Sequence, residues 1–242
     1  MTATYDRIGL NYANLRQPDP RLASQVAAAL GDAEAIVNVG AGAGSYEPEG
    51  RQITAVEPSA EMIAQRPPSS ARLVQGVAEH LPFDDGAFDA AMAILTIHHW
   101  TDQPQGLREL RRVSRGPVVI LTYDPGFPGF WLNDYFPQLV AMDAQIMPPM
   151  EMYSRWLGQV DIQTVPVPHD CTDGFLYAYW RRPEAYLDDK VRAAMSSFWS
   201  AENVEVGLHA LRQDLESGRW MDRYGAVMAQ QSMDAGYRLV IA

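Results

Sequence analysis

The stretch 36-IVNVGAGAGSYEPEG-50 decides how the rest of the chain is read. Residues 35–39, AIVNV, are apolar without alternation, as a strand covered on both faces would be. The run passes straight into Gly40, Gly42 and Gly44. Glycine takes positive φ without steric cost and lets a ligand approach the backbone. A glycine turn at the carboxyl end of a buried strand is where α/β sheets bind ligands. The spacing is G-x-G-x-G. A dinucleotide turn needs G-x-G-x-x-G, and Ser45 stands at its third glycine. No Gly-Lys-Ser/Thr follows, so a nucleoside-triphosphate phosphate loop is excluded.

Working outward, 21-RLASQVAAALG-31 reads as a helix with Leu22, Val26 and Leu30 on one face. The segment 52-QITAVEPS-59 reads as a strand ending in Glu57 and Pro58, with Ser59 capping a short helix over 60–66. Strands are expected over 72–76, 89–97 and 117–123, with a loop over 79–88 and a helix over 103–114. Strand–helix–strand alternation predicts an α/β fold, a Rossmann-like doubly wound, mostly parallel sheet with helices on both faces. The glycines, Glu57, Glu79 and the His98/His99 pair all fall at carboxyl ends of strands.

Past residue 124 the pattern changes. Residues 125–139 are aromatic and broken by prolines, 149–158 read as a short helix, and 160–168 as a strand. Two polar helices follow near 183–199 and 203–220. The organisation expected is a cofactor-binding core with a helical N-terminal segment over 1–124. A helical cover subdomain and substrate region, including the strand near 160–168, spans 125–235. Residues 236–242 return to the core sheet as a final strand.

The chain has 242 residues with a formal net charge of −11. An acidic surface repels phosphate backbones, which argues against nucleic-acid binding. No apolar run approaches the ~18 residues of a membrane helix, and the N-terminus lacks the apolar stretch of a signal peptide. The single cysteine, Cys171, has no intrachain partner and suits a reducing, cytoplasmic setting. A monomer or homodimer is expected, without membrane association.

Four blocks in order, 37-VNVGAGAGSY-46, 55-AVEPSAEM-62, 78-AEHLPFDDGAFDAA-91 and 98-HHW-100, resemble a class I S-adenosylmethionine-dependent methyltransferase. The resemblance is to the small-molecule group that includes the ubiquinone/menaquinone-biosynthesis and trans-aconitate-type enzymes, and it covers about the first half of the chain. It implies methyl transfer to a small-molecule acceptor on oxygen, nitrogen or carbon, with S-adenosylhomocysteine as product. The resemblance also implies a set of binding residues. Gly40, Gly42 and Gly44 would pass the methionine portion, and Glu57 would hold the ribose hydroxyls. Pro58 and Met62 would lie against adenine, Ala78 and Glu79 would flank it, and Ile94 and Leu95 would floor the site. Tyr5, Tyr12 and Arg16 would close over the cofactor. Asn38 departs from the family, where an acid is common. A neutral amide makes weaker hydrogen bonds than a carboxylate, so Asn38→Asp is expected to raise cofactor affinity.

Methyl transfer is an in-line displacement that depends on alignment. A base is needed only for an acceptor that holds its proton tightly. His98 and His99, at the mouth of the fourth strand, are the candidate bases, with structural histidines as the alternative. Trp100, Tyr123, Asp124, Trp131 and His169 are candidate acceptor contacts, although aromatic core packing leaves the same signature. The cluster 168-PHDCTDG-174 supplies too few ligands for a metal site and reads as a loop. Two other readings remain: a cofactor-binding sensor or partner protein without methyl transfer, and an NAD-dependent oxidoreductase. The second leaves Ser45 and the 78–89 block unexplained.

Overall fold

The computed structural model describes residues 16–242; Tyr5 and Tyr12 lie outside the described residues. Helix α1 (Pro20–Leu30) precedes β1 (Ala35–Val39) and β2 (Gln52–Glu57). Helix α2 (Ala60–Ala64), β3 (Arg72–Gln75), β4 (Ala90–Ile94), α3 (Gln103–Val113) and β5 (Val118–Tyr123) follow. One sheet of seven strands runs in the order β3-β2-β1-β4-β5-β7-β6, where β6 is Asp161–Pro168 and β7 is Ser232–Ile241. The first five strands pair in parallel, and β7 runs antiparallel between β5 and β6. Strand order reverses between β1 and β4, so the glycine turn and the end of β4 open side by side at the switch point.

Burial explains the absent alternation. Ile36, Val37, Met92, Ala93, Val119 and Ile120 are fully buried, because α1 covers one face of the central strands and α3 the other. Each helix starts on an aspartate cap. The Asp19 side chain accepts from the Arg21 amide at 2.9 Å and that of Asp102 from the Gln105 amide at 2.9 Å, each satisfying an otherwise orphaned donor.

Three expectations shift. The fourth strand stops at Ile94 instead of running to 97, because Leu95 takes a φ of 50° and residues 97–99 form a 3-10 turn. The last strand begins at Ser232, and β6 pairs with it along its length, so the strand near 160–168 completes the core sheet. The cover is therefore two segments flanking β6. The first holds α4 (Trp131–Tyr135), α5 (Pro137–Ile146) and α6 (Met150–Leu157). The second holds α7 (Asp189–Arg192), α8 (Ser196–Ser200), α9 (Val204–Ser217) and α10 (Arg219–Tyr224), and the span near 183–199 breaks into a 3-10 turn over Pro183–Leu187 and the short helices α7 and α8 instead of one helix. No helix among the described residues is long and apolar enough to cross a membrane.

Candidate cofactor and acceptor site

The glycine turn is shaped by contacts that only glycine permits. Gly40, Gly42 and Gly44 have φ of 69°, 49° and 93°. A Cβ on Gly40 would stand 2.1 Å from Thr96 Oγ1, so β1 and the end of β4 meet at this residue. The Gly40 and Ala41 amides both donate to Val56 O, at 2.9 and 3.1 Å.

Glu57 does not point to solvent. It is 7% exposed, and its carboxylate accepts from the Gly42 amide at 2.8 Å and the Ser59 amide at 2.9 Å. The strand-end acid thus locks the glycine turn against β2. Met62 is buried, and its methyl lies 3.4 Å from where a Gly42 Cβ would stand. Pro58 is exposed and Ala78 buried. These residues meet around the glycine turn at the carboxyl ends of β1 and β2.

Asn38 explains itself once Glu47 is seen. Asn38 Nδ2 donates to Glu47 Oε1 at 2.9 Å, and Arg66 Nη2 donates to Glu47 Oε2 at 2.5 Å. Arg66 Nη1 also donates to Gly42 O at 3.2 Å. Glu47 thus places a carboxylate beside position 38, paired with a guanidinium against the glycine turn. Asn38 Oδ1 is buried without a hydrogen-bond partner among the described residues. Sequence reasoning missed Glu47 and Arg66. Their signal was the unusual SYEPE segment, but the pairing spans residues far apart in the chain.

Glu79 serves the scaffold. Its Oε1 accepts from Thr101 N at 2.7 Å, Thr101 Oγ1 at 2.8 Å and Asp102 N at 3.1 Å. Burial alone would raise its pKa, but these bonds hold it below the usual range. Trp100 packs on α3, where a Cβ on Gly106 would stand 2.5 Å from its ring and 3.2 Å from Ala78 Cβ. Trp100 is not among the residues lining the cavity beside the end of β4.

That cavity is partly open to solvent and lies where the carboxyl ends of β4 and β5 meet the cover. Its wall includes Arg16, Leu95, His98, Tyr123, Asp143 and Tyr177. Leu95 reaches it through the positive φ that ends β4, a conformation a bulky side chain adopts only under tertiary constraint. His98 follows on the 3-10 turn, and its Nδ1 is buried without a hydrogen-bond partner among the described residues. Burial, aided by the nearby positive charges of His99 and Arg16, pushes His98 well below its ordinary pKa. His99 is exposed and is not part of the cavity wall.

Several predicted acceptor contacts lie elsewhere. Trp131 is 3% exposed inside the cover, where Nε1 donates to Trp180 O at 2.7 Å and the ring packs edge-on against Trp220 and Tyr186. Core packing, the alternative weighed from sequence, accounts for it. Asp124 accepts from the Gly126 amide and pairs with Arg238 at 3.5 Å. His169 closes β6, with its backbone amide donating to Gln231 O.

The segment around Cys171 clamps cover to core. Asp173 pairs with Arg16 at 2.5 Å and accepts from the Tyr46 hydroxyl at 2.8 Å. Asp170 pairs with Arg21 at 2.7 Å, and the Thr172 amide donates to Asp19. Burial pushes the Cys171 thiol up to about 12, which makes it a poor nucleophile. No group of three or more metal-type side chains occurs among the described residues.

Known proteins can now be set beside this geometry. A model of the methyltransferase domain family matches residues 37–120. A crystal structure from Anabaena variabilis, described as a candidate methyltransferase from an antibiotic biosynthesis pathway, is 34% identical. It covers 95% of this chain and 99% of its own, with a TM-score of 0.89. An uncharacterised Escherichia coli protein, YafE, is 31% identical over 58% of this chain and 69% of its own length. A rice chloroplast 2-methyl-6-phytyl-1,4-hydroquinone methyltransferase is 30% identical over 39% of this chain, a match spanning 28% of its own length. The chain belongs to the class I methyltransferases whose cofactor is S-adenosylmethionine.

Proposed function

We propose that the protein transfers a methyl group from S-adenosylmethionine to a small, planar organic acceptor seated between β4, β5 and the cover. The observation that carries the reading is the joining of two sites. The Gly40–Gly44 turn with Glu57 would cradle the nucleoside, and Gly40 packs on Thr96, whose chain neighbour Leu95 lines the aromatic cavity. The bound cofactor supplies an electrophilic methyl on a sulfonium. This chain's contribution is to align the acceptor and exclude water, which is catalysis by orientation. Tyr123, Tyr177, Tyr237 and Phe175 give the cavity flat apolar walls, and a hydroquinone ring of the kind named for the rice relative has the matching shape.

His98 is the better of the two histidines for a base. It lines the cavity, and its depressed pKa keeps the imidazole neutral and able to accept a proton at pH 7. Arg16 lines the same cavity, and Cys171 as the lone, buried thiol suits a cytoplasmic enzyme.

The test has two steps. S-adenosylhomocysteine at ~100 times its Kd should stabilise the protein by about 2.7 kcal/mol in thermal unfolding, and NAD should not. Tritiated methyl should then move from the cofactor to a component of a small-molecule extract. His98→Gln should lower kcat by about a hundredfold or more with little change in cofactor affinity. Stabilisation by NAD alone would refute the assignment.

A further inference from the structure

One buried carboxylate has no part in the scaffold or the cofactor cradle. Asp143, on α5, is 4% exposed and lines the acceptor cavity. The hydrogen bond that its side chain makes among the described residues comes from the Tyr177 hydroxyl to Oδ2 at 3.3 Å. Tyr177 in turn accepts from Asn133 Nδ2 at 3.1 Å. No ion pair with Asp143 occurs among the described residues, in contrast to buried Asp19 and Asp173. Burying an acid without a cation costs stability, and α5 would be better served by an apolar residue. The rings of Tyr123, Tyr177, Tyr237 and Phe175 line the same cavity.

We propose that Asp143 is the specificity residue of the acceptor cavity, accepting a hydrogen bond from the hydroxyl of an aromatic ring held flat against Tyr123 and Tyr177. The proposal rests on the methyltransferase reading above and names its substrate class: hydroxylated aromatics. Arg16 shares the cavity wall with its guanidinium paired to Asp173, and its charge still acts on the neighbouring His98, so an ammonium placed there would be repelled whereas a neutral phenol would not. The titratable groups that share the cavity wall with Asp143 are Tyr177 from the loop after β6, Tyr123 on β5, Tyr237 on β7, His98 after β4 and Arg16. Burial, resisted by the Tyr177 bond, raises Asp143 to about 7, so its acceptor strength changes within an accessible range.

The full chain, saturated with S-adenosylhomocysteine, is titrated by ligand-observed NMR with p-cresol, 4-methylanisole and 4-methylbenzylamine. Failure of S-adenosylhomocysteine to bind would sink the methyltransferase reading before this step begins. At pH 8, p-cresol should bind about tenfold tighter than 4-methylanisole, which lacks the donor. The preference should shrink as pH falls from 8 to 6 in the wild type and show no such trend in Asp143→Asn. That variant should bring the two ligands to within about threefold while keeping S-adenosylhomocysteine affinity. It should also unfold at a higher temperature than wild type at pH 8, since it removes an uncompensated buried charge. Equal binding of p-cresol and 4-methylanisole, tighter binding of 4-methylbenzylamine, or an unchanged pH dependence in Asp143→Asn would each overturn the assignment.

Discussion

The cofactor cradle and the helical cover are built on opposite principles. In the cradle, single residues are fixed by backbone geometry: three glycines at positive φ, and an acid bonded to two amides. In the cover, large rings interlock. Trp131 alone meets Phe130, Tyr135, Tyr186, Trp220 and Tyr224. The contrast says that the cradle should fail in binding and the cover in folding.

The largest expected effect lies in the cover. Trp131→Ala removes a fully packed ring and the bond to Trp180 O, and should cost about 3–5 kcal/mol. Denaturant unfolding measures it. If the variant keeps its stability but loses acceptor binding, Trp131 contacts substrate and the contrast is wrong. Next comes Gly40→Ala. Its Cβ would collide with Thr96 at a φ that alanine disfavours, for about 3 kcal/mol of strain. Here calorimetry with S-adenosylhomocysteine is the sharper measurement, because the strain falls on the turn itself and binding should be lost. Native affinity in this variant would show that the cradle tolerates displacement.

The seam between the regions should titrate. Burial pushes the Asp19 carboxyl up, but the Arg21 side chain and amide and the Thr172 amide outweigh it and hold the group at about 2. A depressed acid stabilises above its unfolded pKa, so this contribution is complete above about pH 4 and is lost as pH falls through 2. Asp19→Asn should cost about 1–2 kcal/mol at pH 7, and the difference from wild type should vanish between pH 4 and 2. A difference independent of pH in that window would mean that the Arg21 pairing adds nothing.

How legible each region was follows from the same contrast. The strands β1, β2 and β5, the helices α1 and α3, and the glycine turn could be read locally, since continuous apolar runs and positive φ leave marks at single positions. Glu57 could be placed but not its bonds, and it was the fold that turned it inward. The cover resisted reading because an aromatic residue looks the same in a core as in a pocket: Tyr123 lines the cavity while Trp131 does not. Asp143 left no mark, for nothing in PQLVAMDAQI says which face of α5 is covered. The end of β4 was overrun because the break at Leu95 comes from a constraint imposed by neighbours and not from a glycine.

Asn38 carries the smallest predicted effect and reverses a sequence-based expectation. Read alone, it is a lost acid, and Asn38→Asp should help the cofactor. In the structure, its Nδ2 donates to Glu47 Oε1, and Arg66 holds the other oxygen. An aspartate would replace that donor by a second carboxylate beside the first. Two like charges sharing one guanidinium repel, and one of them must take up a proton. Asn38→Asp should therefore weaken S-adenosylhomocysteine binding by about tenfold or less at pH 7. The loss should shrink at lower pH, where one carboxyl is protonated. Glu47→Gln added to Asn38→Asp restores one acid and one amide with their positions exchanged, and should recover most of the affinity. Tighter binding by Asn38→Asp alone would show that Glu47 does not stand in for the missing acid.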